Sequence, residues 1–493
     1  MELSNAEFDP AGQAGRLESR VVEAITRRQL LRAGGLGLAG VAVASLLAAC
    51  GGGAAPAAKP TEAPKPAEAK PAEAAKPAAP VAAQPTAVPA AAKGLGDTLN
   101  IVQWSHFVPA YDTWFDKYAE DWGNKNKVKV TVDHVPNLEM PARLAAEASA
   151  KAGHDIMEFQ TQVQTYRYEK LLVDVGDIAD YGAKKWGPPV KLAKDMCQIN
   201  GVWRAVPDHY IVIAPLVRDD LMQQIGNPKL ETWDDIRLAC GKLKPQNNAA
   251  GLPISNCNDA NHNWRAIMWS FGASETDAEG KNVTVNTKEF REFLKFAKAF
   301  YDEGITPEVF AWDDASDNRW LGSGQGSFIH DAISSLRSIE QPNKELFDKI
   351  SIHLPLKGPA GQITMNDFNL YGIWDFAKNK EAAKQFLMDY YDNLKEAIVA
   401  STGYNMPVFE NLFQKPMPVI GESKKLEPLQ EYKGDMLKYF GYPGPPNAAA
   451  QEVNAAFHIP QLVGIYVRGR TDLEDVIKEA ESRLKPIYDK YKT

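Results

Sequence analysis

The sequence predicts an α/β fold with two lobes, and this prediction rests on two observations. Between about residue 99 and residue 132, a strand pattern, a helix pattern and a second strand pattern follow one another. This is the order of a βαβ unit with a parallel sheet. The part of the chain that can fold runs from about Thr98 to Thr493, which is long enough for two lobes with separate cores.

The spacing of apolar residues assigns these elements in order. Residues 99–104 are predicted to form a strand that ends in a polar turn. Residues 109–126 are predicted to form a helix, because aromatic residues recur there at helical spacing. Valines alternate with other residues over 128–132, as in a strand. The remaining early predictions are a helix over 141–151, a short strand over 155–159 and a further strand-like alternation over 171–175.

An export signal precedes the folded part. It contains Arg27 and Arg28, an apolar run of 17 residues over 33–49, and Leu-Ala-Ala followed by Cys50. A positive region, a short apolar region and small residues before a cleavage point are typical of secretory signals. The arginine pair resembles the twin-arginine class, and the sequence around Cys50 resembles a bacterial lipobox. These resemblances imply cleavage before Cys50, lipidation of that cysteine, and anchoring at the extracytoplasmic face of the cell membrane.

An unfolded linker is predicted to join the signal, residues 1–49, to the folded domain, residues 97–493. This linker spans residues 50–96, and most of it is Ala, Pro, Lys, Glu and Gly. Such a composition cannot bury enough apolar surface to offset chain entropy. We therefore interpret it as a spacer that lets an anchored domain move relative to the membrane.

Composition and motifs exclude several function classes. The formal charge is −8, without a large basic block outside the linker, which does not favour nucleic-acid binding. HExxH, GxSxG and Walker sequences do not occur, and the eight histidines show no ligand spacing with the cysteines. We therefore expect no catalysis, no metal and no cofactor, although the paired carboxylates of a glycosidase leave no mark in a single sequence. Cys197, Cys240 and Cys257 are expected either as buried free thiols or with a Cys240–Cys257 bridge.

Six segments of the folded part carry a recognisable pattern: 200–207, 217–221, 231–236, 324–328, 372–387 and 469–475. Taken together, they resemble the extracellular solute-binding proteins of ATP-driven (ABC) importers, in the large family that includes the sugar binders. The resemblance implies two α/β lobes joined by a hinge around a cleft, as in the periplasmic binding proteins. It also implies a monomer that captures a solute, with carbohydrate as the first choice, and delivers it to a permease. The alternative ligands are a peptide, a polyamine or a metal complex.

Two of these segments also have physical reasons for their structure. Thr232 is a good N-cap for a helix, and Asp235 is placed to complete a capping box. Gly201 permits a tight hairpin turn. By the resemblance, the first lobe covers about 97–208 and 370–410, and the second covers about 213–368 and 411–493.

The candidate solute contacts lie at predicted strand ends and near the expected crossing between lobes. Open α/β sheets bind ligands beyond the carboxyl ends of their strands. Aromatic faces, amides and carboxylates are the groups that recognise a sugar. The acidic loop around Asp313, Asp314 and Asp317 lacks calcium-loop spacing and is expected to be solvated. The candidates are Trp104, Gln160, Gln162, His209, Tyr210, Trp264, Trp269, Asp331, Asn369 and Tyr371.

Overall fold

The computed structural model describes residues 95–160, 164–414 and 417–492. The predictions on Arg27, Arg28, Cys50 and Gln162 lie outside these residues, as does nearly all of the linker.

Six strands, numbered along the chain, form the sheet of the first lobe. Strand β1 (Thr98–Trp104) runs parallel to β2 (Lys129–Val135) and β3 (Ile156–Phe159), with helix α1 (Pro109–Asn126) between β1 and β2, so the predicted βαβ unit is confirmed. Strand β14 (Asp367–Ile373) runs antiparallel to both β3 and β6 (Val206–Ile211). Across the sheet the order is β15 (Asn405–Pro407), β6 (Val206–Ile211), β14 (Asp367–Ile373), β3 (Ile156–Phe159), β1 (Thr98–Trp104) and β2 (Lys129–Val135).

Four strands form the sheet of the second lobe. Strand β7 is antiparallel to β9 and β10, and β8 is parallel to β9. In order the strands are β10 (Ile350–Ile352), β7 (Ala214–Arg218), β9 (Phe328–Asp331) and β8 (Ala250–Gly251). Three two-stranded ladders pair β4 (Gln198–Ile199) with β5 (Val202–Trp203), β11 (Lys357–Gly358) with β12 (Gly361–Gln362), and β13 (Thr364–Met365) with β16 (Leu437–Lys438).

Helices pack around both sheets. In the described ranges, no helix is both long enough and apolar enough to cross a membrane. The helices around the first sheet are α1 (Pro109–Asn126), α2 (Met140–Ala150), α3 (Thr165–Tyr168), α4 (Gly176–Trp186), α5 (Lys191–Cys197), α13 (Lys380–Tyr391) and α14 (Leu394–Ala400). Those around the second are α6 (Asp219–Gln224), α7 (Trp233–Leu243), α8 (Asn258–Ser270), α9 (Lys288–Gly304), α10 (Ser316–Gly322), α11 (Ser334–Glu340), α12 (Lys344–Asp348), α15 (Ala448–Ala455), α16 (His458–Val467) and α17 (Leu473–Lys490).

The chain crosses between the sheets on adjacent strands. Strand β6 continues into β7 after only two residues, and β13 leads back into β14. These two crossings are bonded together at Ile213, whose N–H donates to Asn366 Oδ1 at 3.3 Å and whose carbonyl accepts from Thr364 Oγ1 at 3.0 Å. This short pair of hydrogen-bonded strands is therefore part of the connection about which the lobes can bend.

Several local predictions are confirmed. Thr232 and Asp235 form a complete capping box at the start of α7. Asn200 and Gly201 both have positive φ, 52° and 82°, between the paired strands β4 and β5, as a two-residue hairpin turn requires. The three cysteines in the described residues are buried and free, which decides against the Cys240–Cys257 bridge.

Two local predictions are wrong. The alternation over 171–175 forms no strand: a 3-10 helix ends at Leu171, and only Leu172 makes an isolated bridge, to Trp374. Asparagine is an ordinary loop residue, so Asn256, Asn258, Asn261 and Asn263 predict a loop that ends at Trp264, but all of these asparagines except Asn256 lie in helix α8. In that helix every residue is buried, so tertiary packing outweighs the preference of asparagine for turns.

Candidate functional site

A row of polar side chains lies on one face of the crossing strand β14. Residues on a strand alternate between faces, so Asp367, Asn369 and Tyr371 share one face, and Phe368 and Leu370 share the other. All five are buried. The polar face is therefore enclosed between the helices of both lobes and is not exposed to solvent.

A first cluster of polar groups gathers around Asn369 in the first lobe. Asn369 Nδ2 donates to Glu158 Oε1 at 2.7 Å, and the N–H of Trp104 donates to Glu158 Oε2 at 3.3 Å. One oxygen each of Glu158 and Asp208 and one ring nitrogen of His209 lie within 4.8 Å of one another. Burial, followed by repulsion from Asp208, raises the pKa of Glu158 well above its usual range.

A β-bulge places Asp208 in this cluster. Asn369 pairs with His209 and Leu370 pairs with Pro207, so Asp208 is an extra residue on β6. Its carboxylate accepts a hydrogen bond from Tyr390 at 2.7 Å and binds His209 Nδ1 at 2.8 Å.

The tautomer of His106 follows from its two hydrogen bonds. The N–H of Val108 donates to His106 Nδ1 at 2.9 Å, so the ring hydrogen lies on Nε2, which donates to Asn405 Oδ1 at 2.9 Å. Burial lowers the pKa of His106 to about 3, so this ring is neutral at physiological pH. Asn405 Nδ2 then has no hydrogen-bond partner among the described residues.

Aromatic rings line the same region. The ring of Trp104 lies 4.8 Å from His106, 5.3 Å from Phe107 and 6.4 Å from Tyr404, measured between centroids. Tyr371 lies deeper, where it stacks on Phe115 at 6.3 Å. The first lobe therefore offers indole and phenol surfaces beside its carboxylates and amides.

The second lobe faces this region with a cluster of aspartates. They come from the start of α8, from α10 and the residues just before it, and from the end of β9, and all are buried. Burial, followed by repulsion from the neighbouring aspartates, raises the pKa of Asp259 and Asp317 well above the usual range. The pKa of Asp331 rises to about 7, with burial as the largest cause. The aspartates are Asp259, Asp314, Asp317 and Asp331.

The prediction of a solvated loop at Asp313, Asp314 and Asp317 is therefore wrong for two of the three. Only Asp313 is exposed, where it pairs with Arg319 at 2.7 Å. Asp314 accepts hydrogen bonds from the N–H groups of Asn258 and Asp259, so it caps the start of α8. Sequence spacing did not reveal this burial, because the cap is formed with a residue more than fifty positions away.

Contacts between the lobes close around the two clusters. Asn137 of the first lobe donates to Asp314 Oδ2 at 3.3 Å, and Asp367 Oδ1 binds His262 Nε2 of α8 at 2.7 Å.

Several buried polar atoms in this region nevertheless have no hydrogen-bond partner within the described ranges. They include an acceptor, Asn369 Oδ1, and two donors, Asn405 Nδ2 and Asn263 Nδ2. Unpartnered buried polar atoms each cost about 1–3 kcal/mol, so this group indicates a site that a polar ligand completes.

The structure brings some of the predicted site residues together and not others. Trp104, His209, Asn369 and Asp331 belong to these clusters, Tyr371 lies beneath them, and Gln160 is buried just after β3. Tyr210 points to the opposite face of β6, where it donates to the carbonyl of Tyr432. Trp264 donates to the carbonyl of Pro253, and Trp269 packs on Tyr442, so neither joins the group.

Sequence reasoning missed much of the site. Glu158 and Asp367 lie at strand termini, a position that could have marked them. No local signal distinguished His106, Asp208, Asp259, His262 or Asn405.

A cavity lies on the side of the crossing strands opposite the polar face of β14. It measures about 770 Å³ and is lined by Phe368, Phe413, Tyr439 and Tyr442 together with Lys433 and Lys438. None of the unpartnered buried atoms of the described chain belongs to a residue that lines it. The polar face of β14 is therefore the better candidate site, although it is the more enclosed of the two.

Solved structures resemble this chain over most of its length. A maltose-bound MalE3 of T. maritima has 18% identity and a TM-score of 0.68, over 80% of this chain and 100% of its own. A sugar transporter of Arthrobacter chlorophenolicus with bound laminaribiose has 16% identity and a TM-score of 0.69, over 79% and 99%. An ABC transporter solute-binding protein of Agrobacterium radiobacter in complex with ribitol has 16% identity and a TM-score of 0.66, over 80% and 100%.

These likenesses confirm the predicted two-lobed α/β fold of the periplasmic binding proteins. No curated protein matches the chain. The profile of the family described as bacterial extracellular solute-binding protein matches residues 113–419, which is more than half of the sequence. Its members act outside the cytoplasm, and they bind solutes without being enzymes. The chain therefore belongs to the bacterial extracellular solute-binding proteins.

Proposed function

We propose that this protein is a lipid-anchored receptor that captures a carbohydrate between its lobes and delivers it to an ABC transporter permease. The observation that carries the choice of solute is the set of buried, unpartnered donors and acceptors beside the aromatic rings at the polar face of β14.

A sugar hydroxyl both donates and accepts a hydrogen bond, so a site for sugars needs partners of both kinds. Asn405 Nδ2 can only donate, and Asn369 Oδ1 can only accept. A polyamine carries donors alone and would leave Asn405 Nδ2 unsatisfied in a buried place. A polyhydroxylated solute can satisfy both atoms, which favours it over a polyamine.

The aromatic rings supply the second half of sugar recognition. Trp104 and Tyr404 are amphipathic rings that can pack against the C–H surface of a sugar while polar neighbours bind its hydroxyls. The solutes named for the similar structures, which include maltose, laminaribiose and ribitol, are all polyhydroxylated. They support the class of solute for this chain but not its identity.

Closure of the lobes would couple capture to delivery. We assign the first lobe to about 97–208 and 370–410 and the second to about 213–368 and 411–493, with the bonded strands around Ile213 as the hinge. A solute that contacts both lobes favours the closed form, because only there are both sets of contacts made. The permease would then recognise the closed form.

Export and anchoring complete the proposal. Arg27 and Arg28 would direct the chain to the twin-arginine route, and Cys50 would carry the lipid. The stretch from Gly51 to Lys93 has 43 residues and, if extended, reaches about 130 Å. Such a tether allows a monomeric receptor to meet a permease in the same membrane.

The test is calorimetric titration of the folded domain with mono- and disaccharides, polyols, short peptides and spermidine. We expect a carbohydrate or polyol to bind, and Asn405→Ala to weaken that binding about tenfold or more, the cost of one lost buried hydrogen bond. The matched control is Tyr442→Ala, which alters the cavity on the other face and should leave the affinity unchanged. Binding of peptides or spermidine alone would reject the carbohydrate assignment.

A further inference from the structure

Three carboxylates of the second lobe converge on one point from three separate elements. Asp259 lies in the first turn of α8, Asp317 lies in α10, and Asp331 ends β9. One oxygen of each lies within 4.8 Å of one oxygen of the other two. Their exposed fractions are 7%, 0% and 4%, so water does not screen their repulsion.

No basic side chain of the described residues compensates this charge by a salt bridge, apart from a histidine. Within the described ranges, His262 is the only basic partner of Asp259, and its Nε2 is already bound to Asp367 Oδ1 at 2.7 Å. Asp314 and Asp367 add further negative charge to the same region. Buried carboxylates in such a cluster are stable only when they are protonated, paired or bound to a cation.

Unpartnered atoms at the cluster point independently to a ligand. His262 Nδ1 is buried, has no hydrogen-bond partner in the described chain, and lies 3.6 Å from Asp259 Oδ1. The Oδ2 atoms of Asp259, Asp317 and Asp331 are likewise without partners there. The cluster therefore holds three oxygen acceptors and a ring nitrogen that the protein itself does not satisfy.

The geometry admits a cation, and the charge favours a divalent ion over a protonated amine. An ion at the centre of a triangle with sides of 4.8 Å lies about 2.8 Å from each corner, and separations below that limit approach the 2.3–2.6 Å of Ca²⁺–oxygen bonds. When ionised, the three carboxylates carry three negative charges, whereas one ammonium group supplies a single positive charge. Carboxylate ligands suit hard ions such as Ca²⁺ and Mn²⁺.

We propose that Asp259, Asp317 and Asp331 bind a divalent cation of the Ca²⁺ or Mn²⁺ type in the wall of the interlobe cleft. This site goes beyond solute capture, and it does not depend on which solute the protein takes. His262 Nδ1 is the fourth candidate ligand, and its ring is held in place by Asp367.

The experiment uses the mature chain after treatment with a chelator. Ca²⁺, Mn²⁺ and Mg²⁺ are each titrated by calorimetry and in thermal denaturation, with spermidine as the amine probe and no sugar present. We expect one divalent ion to bind per chain and to raise the melting temperature, because a ligand selective for the native state stabilises it. Asp317→Asn should weaken that binding on the order of tenfold or more, and removal of like-charge repulsion should leave its metal-free melting temperature at or above that of the unchanged protein.

The matched control is Asp313→Asn, in the same segment but exposed and paired with Arg319. It should bind the ion as the unchanged protein does. If Asp317→Asn fails to fold, Asp331→Asn takes its place, and the titration of the unchanged protein stands by itself. The proposal is overturned if no divalent ion binds at millimolar concentration, if spermidine alone stabilises the protein, or if Asp313→Asn is as damaging as Asp317→Asn. A lack of divalent-ion binding, or equal damage in the two aspartate variants, leaves the carbohydrate titrations unaffected, so on these results the two proposals fail separately. Stabilisation by spermidine alone would count against both.

Discussion

His262 Nε2 lies 2.7 Å from Asp367 Oδ1, and this contact joins helix α8 of the second lobe to the first residue of the crossing strand β14. Both side chains are buried. Burial lowers the pKa of His262, but the attraction of Asp367 and the hydrogen bond that His262 donates to it outweigh burial and raise that pKa. A buried, charge-assisted contact therefore holds the helix of one lobe against the strand that returns to the other.

Asp367→Ala should lower the free energy of unfolding by about 1.5–3 kcal/mol, the range for a hydrogen bond to a charged group. The reason is that His262 loses its partner in a buried place. Chemical denaturation measures the change. The control is Asp375→Ala, at an exposed position just after the same strand, and an equal loss in both variants would contradict this role for the contact.

The stability contributed by His154 and Glu147 should depend on pH in both directions. Burial lowers the pKa of His154, but its hydrogen bonds to Glu147 and Asp133 outweigh that effect and raise it above the usual 6.5. Burial raises the pKa of Glu147, but hydrogen bonds from His154 and Trp374 outweigh that effect and lower it below 4.5. Arg143 also faces Glu147, at 3.0 Å.

The raised pKa of His154 stabilises the fold fully below pH 6.5, and this contribution is lost as the pH rises through the folded-state value. The lowered pKa of Glu147 stabilises it above pH 4.5, and that contribution is lost as the pH falls through the folded-state value. The difference in unfolding free energy between the unchanged protein and His154→Gln should therefore be largest between pH 4.5 and pH 6.5. A difference that stays constant from about pH 5 to about pH 9 would rule out this linkage.

The buried ion pair of Arg265 and Glu275 should be costly to break. Both residues are fully buried, Nε and Oε1 are 2.7 Å apart, and Arg265 also donates to Asn261 and Asn454. Glu275→Ala leaves a buried guanidinium without its carboxylate and should cost about 3–5 kcal/mol in denaturant unfolding.

A partly exposed pair provides the comparison for that variant. Glu303→Ala, which removes the partner of Arg237, should cost less than about 1 kcal/mol. Similar losses in the two variants would show that burial does not set the strength of the Arg265 pair.

Cys50→Ser should release the protein from the membrane. The serine hydroxyl cannot take the thioether-linked lipid that the lipobox resemblance implies, so the variant should move from the membrane fraction to the soluble fraction. Fractionation and incorporation of labelled fatty acid measure this. Cys197→Ser, at a buried free cysteine of the folded domain, is the matched control and should stay in the membrane fraction. Membrane retention of Cys50→Ser would contradict the anchor.

Sequence patterns predicted the elements whose packing is local. The helix over 109–126 carries an aromatic stripe at helical spacing, and Thr232 with Asp235 forms a cap within four residues. The hairpin at Asn200 and Gly201 needs only positive φ at two positions. In each case the residues that determine the structure are neighbours in the chain.

The site was predicted only in part, because long-range contacts build it. Asn369 and Asp331 were predicted because they lie at strands next to segments that resemble the family. His209 was predicted because it lies near the expected hinge. Asp259 was not singled out and Asp317 was expected in a solvated loop, because the two meet only when α8 and α10 pack at the end of β9. Tyr210 was a candidate beside His209, but strand alternation turns its side chain to the other face.

The position of the bound solute tests the central claim most directly. A crystal structure of the protein with the carbohydrate that titration selects should place it at the polar face of β14, within hydrogen-bonding distance of Asn369 Oδ1 and Asn405 Nδ2. A solute found instead in the cavity lined by Phe368 and Tyr442, or bound to one lobe alone, would contradict it.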